Sequence, residues 1–319
     1  MKTISIIILT YNNCQETTIP CIESVLKQAT TNLVEIIVVD NQSTDETREV
    51  IKEYQRENSK LIKVILNNKN YGYAEGNNIG IRQSIGDVVI LLNNDTVVTP
   101  DWTTTLLCLF EQDDSIGLVG PISNSVGNEQ MIACPGMTID NFLPMAKEYT
   151  DQRSGNYFFT LNLGFFCVAV SRNVIDTVGL LDASYGLGMF EDTDYCARVT
   201  SAGYKLAVAE DSFVFHSGSF SFNKLSSSHY RNLFEKNLQL FISKNGSEWG
   251  ISQISIAFWE KSLQDIERLR LYFEGKGDAI PPALEDMIMR SNSQSVLLGL
   301  ISRLEQEAKD IDYCTVLGK

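Results

Sequence analysis

The run Val88-Val89-Ile90-Leu91-Leu92 passes directly into Asn93-Asn94-Asp95-Thr96, and few architectures accommodate that junction. Five consecutive apolar residues with β-branched ones at the start predict a strand buried on both faces, as in a parallel sheet covered by helices. In an open parallel sheet, ligands bind beyond the carboxyl ends of the strands. A carboxylate there, Asp95, is placed to hold a hard divalent cation, which prefers carboxylate oxygens and shares them with substrate phosphates. The same four residues also read as a polar turn that closes a strand, so the rest of the chain decides between the two.

The pattern recurs upstream. Residues 4–9 (ISIIIL) predict a first strand, followed by Thr10-Tyr11-Asn12-Asn13. Residues 20–29 carry helical spacing through Ile22, Val25 and Leu26. Residues 34–39 (VEIIVV) predict a second strand ending in Asp40-Asn41-Gln42-Ser43. Ser43 or Thr44 is placed to cap a helix running to about residue 58. A third strand over 61–66 and a helix over 74–85 lead into the fourth strand at 88–92. Alternating strands and helices predict an α/β fold with a mostly parallel sheet flanked by helices. Beyond Pro100 the spacing predicts a helix near 102–111 and strands near 117–120 and 162–170. From residue 230 the chain reads as largely helical, which sets a boundary near 228. Residues 1–228 then form one domain with halves at 1–100 and 101–228, and 229–319 form a helical C-terminal region.

Charge and cysteine usage narrow the function classes. The 40 acidic residues outnumber the 26 basic ones for a net charge of −14, which disfavours nucleic acid as a partner, since phosphate neutralisation needs Lys and Arg. It equally disfavours broad attachment to an anionic membrane and leaves at most a peripheral contact. The seven cysteines include no Cys-x-x-Cys pair, so neither a zinc site nor a disulfide framework is expected. No signal peptide is read at the N-terminus and no apolar run is long enough for a membrane span. Together these predict a cytoplasmic protein, at most peripheral at the inner face of a membrane.

The chemistry-bearing motifs of several α/β families are absent: there is no Gly-x-Gly-x-x-Gly, no phosphate loop of the Gly-x-x-x-x-Gly-Lys type and no Gly-x-Ser-x-Gly elbow. Polar residues instead follow three candidate strands: Thr10, Tyr11 and Asn12; Asp40 and Asn41; Asn93, Asn94 and Asp95. An aromatic ring to stack and a carboxylate to accept a hydrogen bond suit a nucleobase and ribose. Each group taken alone also reads as a turn or helix cap.

The stretches SIIILTYNN, EIIVVDNQSTDET, NKNYGYAEGNNIGI, VVILLNNDT and MFEDTDYCARVTSAGYKL together resemble the inverting glycosyltransferases of family 2, which carry the GT-A fold. The likeness covers residues 3–220 and is nearest to the rhamnosyltransferase-like branch that builds bacterial surface polysaccharides. It implies a nucleotide-diphosphate sugar donor (dTDP-rhamnose or a UDP-sugar), a divalent metal (Mn²⁺ or Mg²⁺), a saccharide or lipid-linked saccharide acceptor, and inversion at the anomeric carbon. Thr10, Tyr11, Asn12, Asp40 and Asn41 would then line the nucleotide pocket, with Asn70, Gly72, Ala74 and Asn77 against the nucleotide and donor sugar. Asn93 and Asn94 would join them. Asp95 matches the last acid of the family's Asp-x-Asp metal motif. Asn93 stands where the first acid is expected, which leaves one fewer charge for the metal and keeps metal-independent catalysis open. His216 would complete the metal shell.

Glu191 and Asp192 match the family's acidic pair. Asp192 would act as the base that takes the acceptor hydroxyl proton, with Glu191 in support, and the same residues also suit a helix N-terminus. Gly186-Leu187-Gly188 suggests a mobile loop before them. Arg231 or Lys224 would reach the diphosphate. The apolar stripe from Trp249 to Phe273 reads as core or as an interface between copies in a homo-oligomer. Two other functions fit parts of the pattern: a non-catalytic nucleotide-sugar binding protein and a nucleotidyltransferase.

Overall fold

The computed structural model describes residues 2–132, 134–217 and 227–245. Lys224, the stripe from Trp249 onward and the side chains of His229 and Arg231 lie outside the described residues.

Strand β1 (Ile4–Thr10) is apolar on both faces and takes the centre of the first half of the sheet. It pairs in parallel with β2 (Leu33–Asp40) and β4 (Val88–Asn93), and β2 pairs in parallel with β3 (Ile62–Leu66). The crossovers are α1 (Ile19–Lys27), α2 (Thr47–Glu57) and α3 (Gly72–Gln83). A short π-helical turn, Cys14–Thr18, precedes α1.

Past β5 (Thr96–Val98) and α4 (Trp102–Gln112) the pairing changes character. Strand β6 (Ile116–Ile122) runs parallel to β9 (Lys205–His216), whereas β8 (Cys167–Ser171) inserts antiparallel between β4 and β6. Strands β5 and β7 (Tyr157–Thr160) each pair antiparallel with β9. The order is β3-β2-β1-β4-β8-β6-β9-β5, with β7 also on β9. Helices α5 (Phe142–Asp151), α6 (Arg172–Val178), α7 (Glu191–Ser201) and α8 (Ser227–Asn245), with a 3₁₀ turn at Ala183–Tyr185, complete the described elements.

Alternate residues of each central strand feed two cores. Ile6, Ile8, Ile36 and Val38 meet Ile22, Ile51, Leu106 and Trp102 on one face, while Ile7, Ile37, Val39 and Leu91 meet Ala74, Ile81, Tyr195 and Val199 on the other. Register then fixes the functional edge. Thr10 sits beside Asp40, Asp40 beside Leu66, and Leu9 beside Asn93, so the polar strand ends of β1, β2 and β4 share one edge.

Two local expectations change. The strand expected over 162–170 begins only at Cys167, because the preceding backbone is claimed by side chains: Gly164 N–H donates to Gln130 Oε1, and the Phe165 carbonyl accepts from Tyr73. Neither Ser43 nor Thr44 caps α2. Asp45 accepts from Thr47 N–H at 3.1 Å, while Ser43 Oγ and the Thr44 amide serve Asn12 across the strand ends. Among the described residues, no helix is long and apolar enough to cross a membrane.

Candidate active site at the strand ends

The nucleotide-side residues form two groups. Thr10, Asp40, Asn41 and Asn94 turn their polar atoms inward. Asp40 accepts from the Gln42 and Ser43 amides and pairs with Arg48 Nε at 2.8 Å. Asn41 donates to the Gly72 carbonyl and accepts from Asn67 Nδ2, which joins the end of β2 to the entrance of α3. Asn94 Nδ2 donates to Thr17 and Thr18, and Thr18 shares a hydrogen bond with Thr10. These side chains shape the strand ends. Tyr11, at 41 % exposure, is the one that offers an open ring face at the end of β1.

Asn12 and Asn13 both hold left-handed backbone (φ 57°), a conformation asparagine tolerates better than most residues. The Asn12 side chain accepts from the Thr44 amide at 2.7 Å, tying the first loop to the second. Asn70 accepts from the Gly72 amide at 2.8 Å, an Asx turn that starts α3. Ala74 and Asn77 are buried on α3, and Asn77 Oδ1 has no hydrogen-bond partner.

The β4–β5 turn sets Asp95 against the end of β9. Thr96 pairs with His216, and the Ser217 amide donates to the Asp95 carbonyl. His216 Nε2 then lies 3.3 Å from Asp95 Oδ1. The ring is fixed from three more directions: Nδ1 meets the Ser125 carbonyl at 2.6 Å, Phe166 stacks on its face at 5.2 Å, and Asn124 holds its backbone. Burial alone would lower the imidazole pKa, but the Asp95 carboxylate and the Ser125 carbonyl outweigh it and raise it.

A divalent cation fits this pair. Asp95 Oδ1 is buried and has no hydrogen-bond partner among the described residues, although it faces His216. A hydrogen bond from the far ring nitrogen to a carbonyl is the usual support of a ligating histidine. No third Asp, Glu, His or Cys joins them among the described residues, so the other ligands would be phosphate oxygens and water. Asn93 ends β4 half-buried, its backbone engaged by Phe166 and Thr96.

The acidic pair opens α7. Glu191 is buried and its Oε2 has no partner, so burial and then the charge of Asp192 push its carboxyl up to about 8. Asp192 is half-buried and is also raised by burial, against hydrogen bonds from Thr193 and the Phe165 backbone. Asp194 belongs to the scaffold: it pairs with Arg198 at 2.8 Å and accepts from the Tyr185 hydroxyl.

Tyr73, which the sequence reading missed, connects these parts. Its hydroxyl donates to the Phe165 carbonyl. Its pKa rises through burial first, then through the nearby charges of Glu191, Asp192 and Asp95, with Cys167 between the last two. One buried hydroxyl therefore feels all three candidate carboxylates. Tyr73 has no motif of its own, and only its place between Gly72 and Ala74 could have drawn attention to it. Gly186-Leu187-Gly188 is pinned as well, since the Tyr73 amide donates to the Leu187 carbonyl and Gly72 lies against the Gly186 backbone.

A sheet with a parallel first half, flanked by helices, is the frame of a GT-A fold. Over residues 5–175 the chain matches the profile of Glycosyl transferase family 2, and it belongs to that family. It is 30% identical over 208 residues to an uncharacterized glycosyltransferase of Methanocaldococcus jannaschii, covering 65% of this chain and 68% of the relative. The chain spans 21%, 39% and 46% of the length of three other curated relatives. Among solved structures it resembles GalNAc-T7 with UDP, GalNAc and Mn²⁺ (TM-score 0.60, 18% identity, covering 82% of this chain and 58% of that one). It also resembles the mannosyltransferase PcManGT from Pyrobaculum calidifontis in complex with GDP-Man and Mn²⁺ (TM-score 0.53, 13% identity, 99% and 78%). At these identities the structural likeness speaks for the fold.

Proposed function

We propose that this protein transfers a sugar from a nucleoside-diphosphate donor to a hydroxyl of a saccharide or lipid-linked saccharide, with inversion, in the synthesis of a bacterial surface polysaccharide. The observation that carries the reading is Asp95 set 3.3 Å from His216 at the end of β4, its buried Oδ1 without a hydrogen-bond partner among the described residues. The rhamnosyltransferase-like motifs favour dTDP-rhamnose or a UDP-sugar as donor. The UDP and GDP-Man named with the structural neighbours support a nucleotide-sugar donor.

In this mechanism the nucleobase stacks at Tyr11 and the diphosphate points toward Asp95 and His216. Those two residues would hold Mn²⁺ or Mg²⁺, whose contribution when bound is to neutralise charge on the departing diphosphate. Burial first, and the neighbouring Asp192 second, raise the Glu191 carboxyl to about 8 and suit it to the protonated role beside Asp192. Asp192 is then the carboxylate that faces the acceptor. As the acceptor oxygen bonds to the anomeric carbon, its proton passes to Asp192, and the anomeric carbon–phosphate oxygen bond breaks to release the nucleoside diphosphate. The Thr193 amide and hydroxyl hold one Asp192 oxygen at 2.7 and 3.3 Å, which orients the other.

The test is a screen of UDP-, dTDP- and GDP-sugars for release of nucleoside diphosphate, with Mn²⁺ and with EDTA. Release from one donor supports glycosyl transfer and identifies base and sugar. Pyrophosphate as product would replace the reading with nucleotidyl transfer. Nucleotide binding without product, across acceptors, would favour a binding protein.

A further inference from the structure

The segment leading into Glu191 is backbone that does not hold its shape by itself. Gly186, Gly188, Met189 and Phe190 all have positive φ (71°, 149°, 76° and 72°). For Met189 and Phe190 such angles are sterically unfavourable, and residues of this kind persist only where the surroundings over-determine them. The segment also touches the donor side, through Gly72 against the Gly186 carbonyl and the Tyr73 amide on the Leu187 carbonyl.

The over-determining group comes from α8. Asn237 is fully buried, and its Nδ2 donates to the carbonyls of Tyr185 (2.8 Å), Gly188 (2.8 Å) and Met189 (3.2 Å). Its Oδ1 is buried with no partner. An unmade acceptor costs stability, so the side chain is arranged to collect the loop carbonyls rather than to satisfy itself. The rest of α8 grips both flanks of the acidic pair. Lys244 reaches Asp182 and Ser184 before it, Asn245 donates to Asp194 after it, and Phe241 packs beneath Phe190.

We infer that Asn237 is a positioning residue for the acidic pair: its amide gathers the 185–189 carbonyls and thereby fixes where α7 begins and where Glu191 and Asp192 stand. The inference rests on the function proposed above. Catalysis by a misplaced base falls about 10²-fold for an error of about 1 Å.

The experiment compares wild type, Asn237→Ala and Asn237→Ser, which keeps one donor, for turnover, for binding of the nucleoside diphosphate released by the wild type, and for amide hydrogen exchange across 185–190. Glu35→Gln, at the opposite end of the sheet, serves as a destabilised control. The expected result is a kcat lower by about 10²-fold in Asn237→Ala and by less in Asn237→Ser, nucleotide affinity little changed, and faster exchange confined to 185–190. Wild-type kcat at a temperature below unfolding, or unchanged exchange in the loop, overturns the inference. Should Asn237→Ala fail to fold, Asn237→Ser carries the same comparison. Should the wild type turn over no donor, the functional reading fails, while the exchange data still decide whether Asn237 holds the loop.

Discussion

Asn124 closes both backbone bonds of His216, donating from Nδ2 to its carbonyl at 3.0 Å and accepting from its amide at 2.9 Å. A side chain here takes the place of a neighbouring strand. The contact spans 92 positions and arrives beside the Ser125 carbonyl that orients the imidazole. Groups that orient a ligating histidine typically contribute 10–100-fold to metal affinity. Asn124→Ala is therefore expected to weaken nucleoside diphosphate binding about 10-fold in Mn²⁺ and to leave binding in EDTA unchanged. Calorimetric titration in the two buffers reads both; equal losses in both would remove His216 from the metal site.

Asp192→Asn keeps the shape and the Thr193 hydrogen bonding on one oxygen but cannot accept the acceptor proton. Turnover is expected to fall by about 10²–10⁴-fold, the range of a general base, while donor affinity is retained. Retained turnover would take Asp192 out of the base role and turn attention to Glu191.

The frame was legible because long apolar strands and helical spacing are local signals. ISIIIL, VEIIVV and VVILL stand in register at one edge, as the parallel arrangement requires. Asp95, His216, Glu191 and Asp192 were singled out through their resemblance; the structure sets Asp95 against His216 and places Glu191 and Asp192 at the start of α7. Tyr73, Asn124, Arg48 and Asn237 were not. Tyr73, Asn124 and Asn237 are single polar residues whose partners lie far away in sequence (92 positions for Tyr73 with Phe165, 52 for Asn237 with Tyr185), and no local pattern marks such a residue. The inward aim of Asp40 and Asn94 was hidden for a related reason: a polar residue at a strand end reads the same whether it faces a ligand or its own loop.

Glu191 makes the site costly above neutral pH. Its carboxyl is pushed up to about 8 by burial and by Asp192, from about 4.3 in an unfolded chain. Between those values the folded state binds more protons than the unfolded one, so stability falls as pH rises. The contribution is fully present below about pH 4 and is lost by about pH 8. Glu191→Gln, neutral at every pH, is expected to lie closest to wild type near pH 5 and to gain on it by a few kcal/mol toward pH 8. Thermal melts across that range give the comparison; a difference independent of pH would mean that Glu191 is ionised in the folded protein throughout.

Gly72 ties the two halves of the site together. Its φ is +78°, which an L side chain rarely adopts, and a Cβ there would stand 1.9 Å from the Gly186 carbonyl oxygen. The obstruction is backbone and cannot rotate away. Relief requires moving α3 or the 186–188 segment, and both carry site residues: Tyr73 and Asn77 on one side, the entrance to Glu191 on the other. Gly72→Ala is accordingly expected to lose at least about 1 kcal/mol of stability and to lower both donor affinity and kcat. The double variant with Asn237→Ala separates the routes. If the damage of Gly72→Ala travels through the 186–188 segment, a loop already released by Asn237→Ala absorbs it, and the two kcat losses combine to less than their product. A full product would place the damage on α3 and Tyr73 instead.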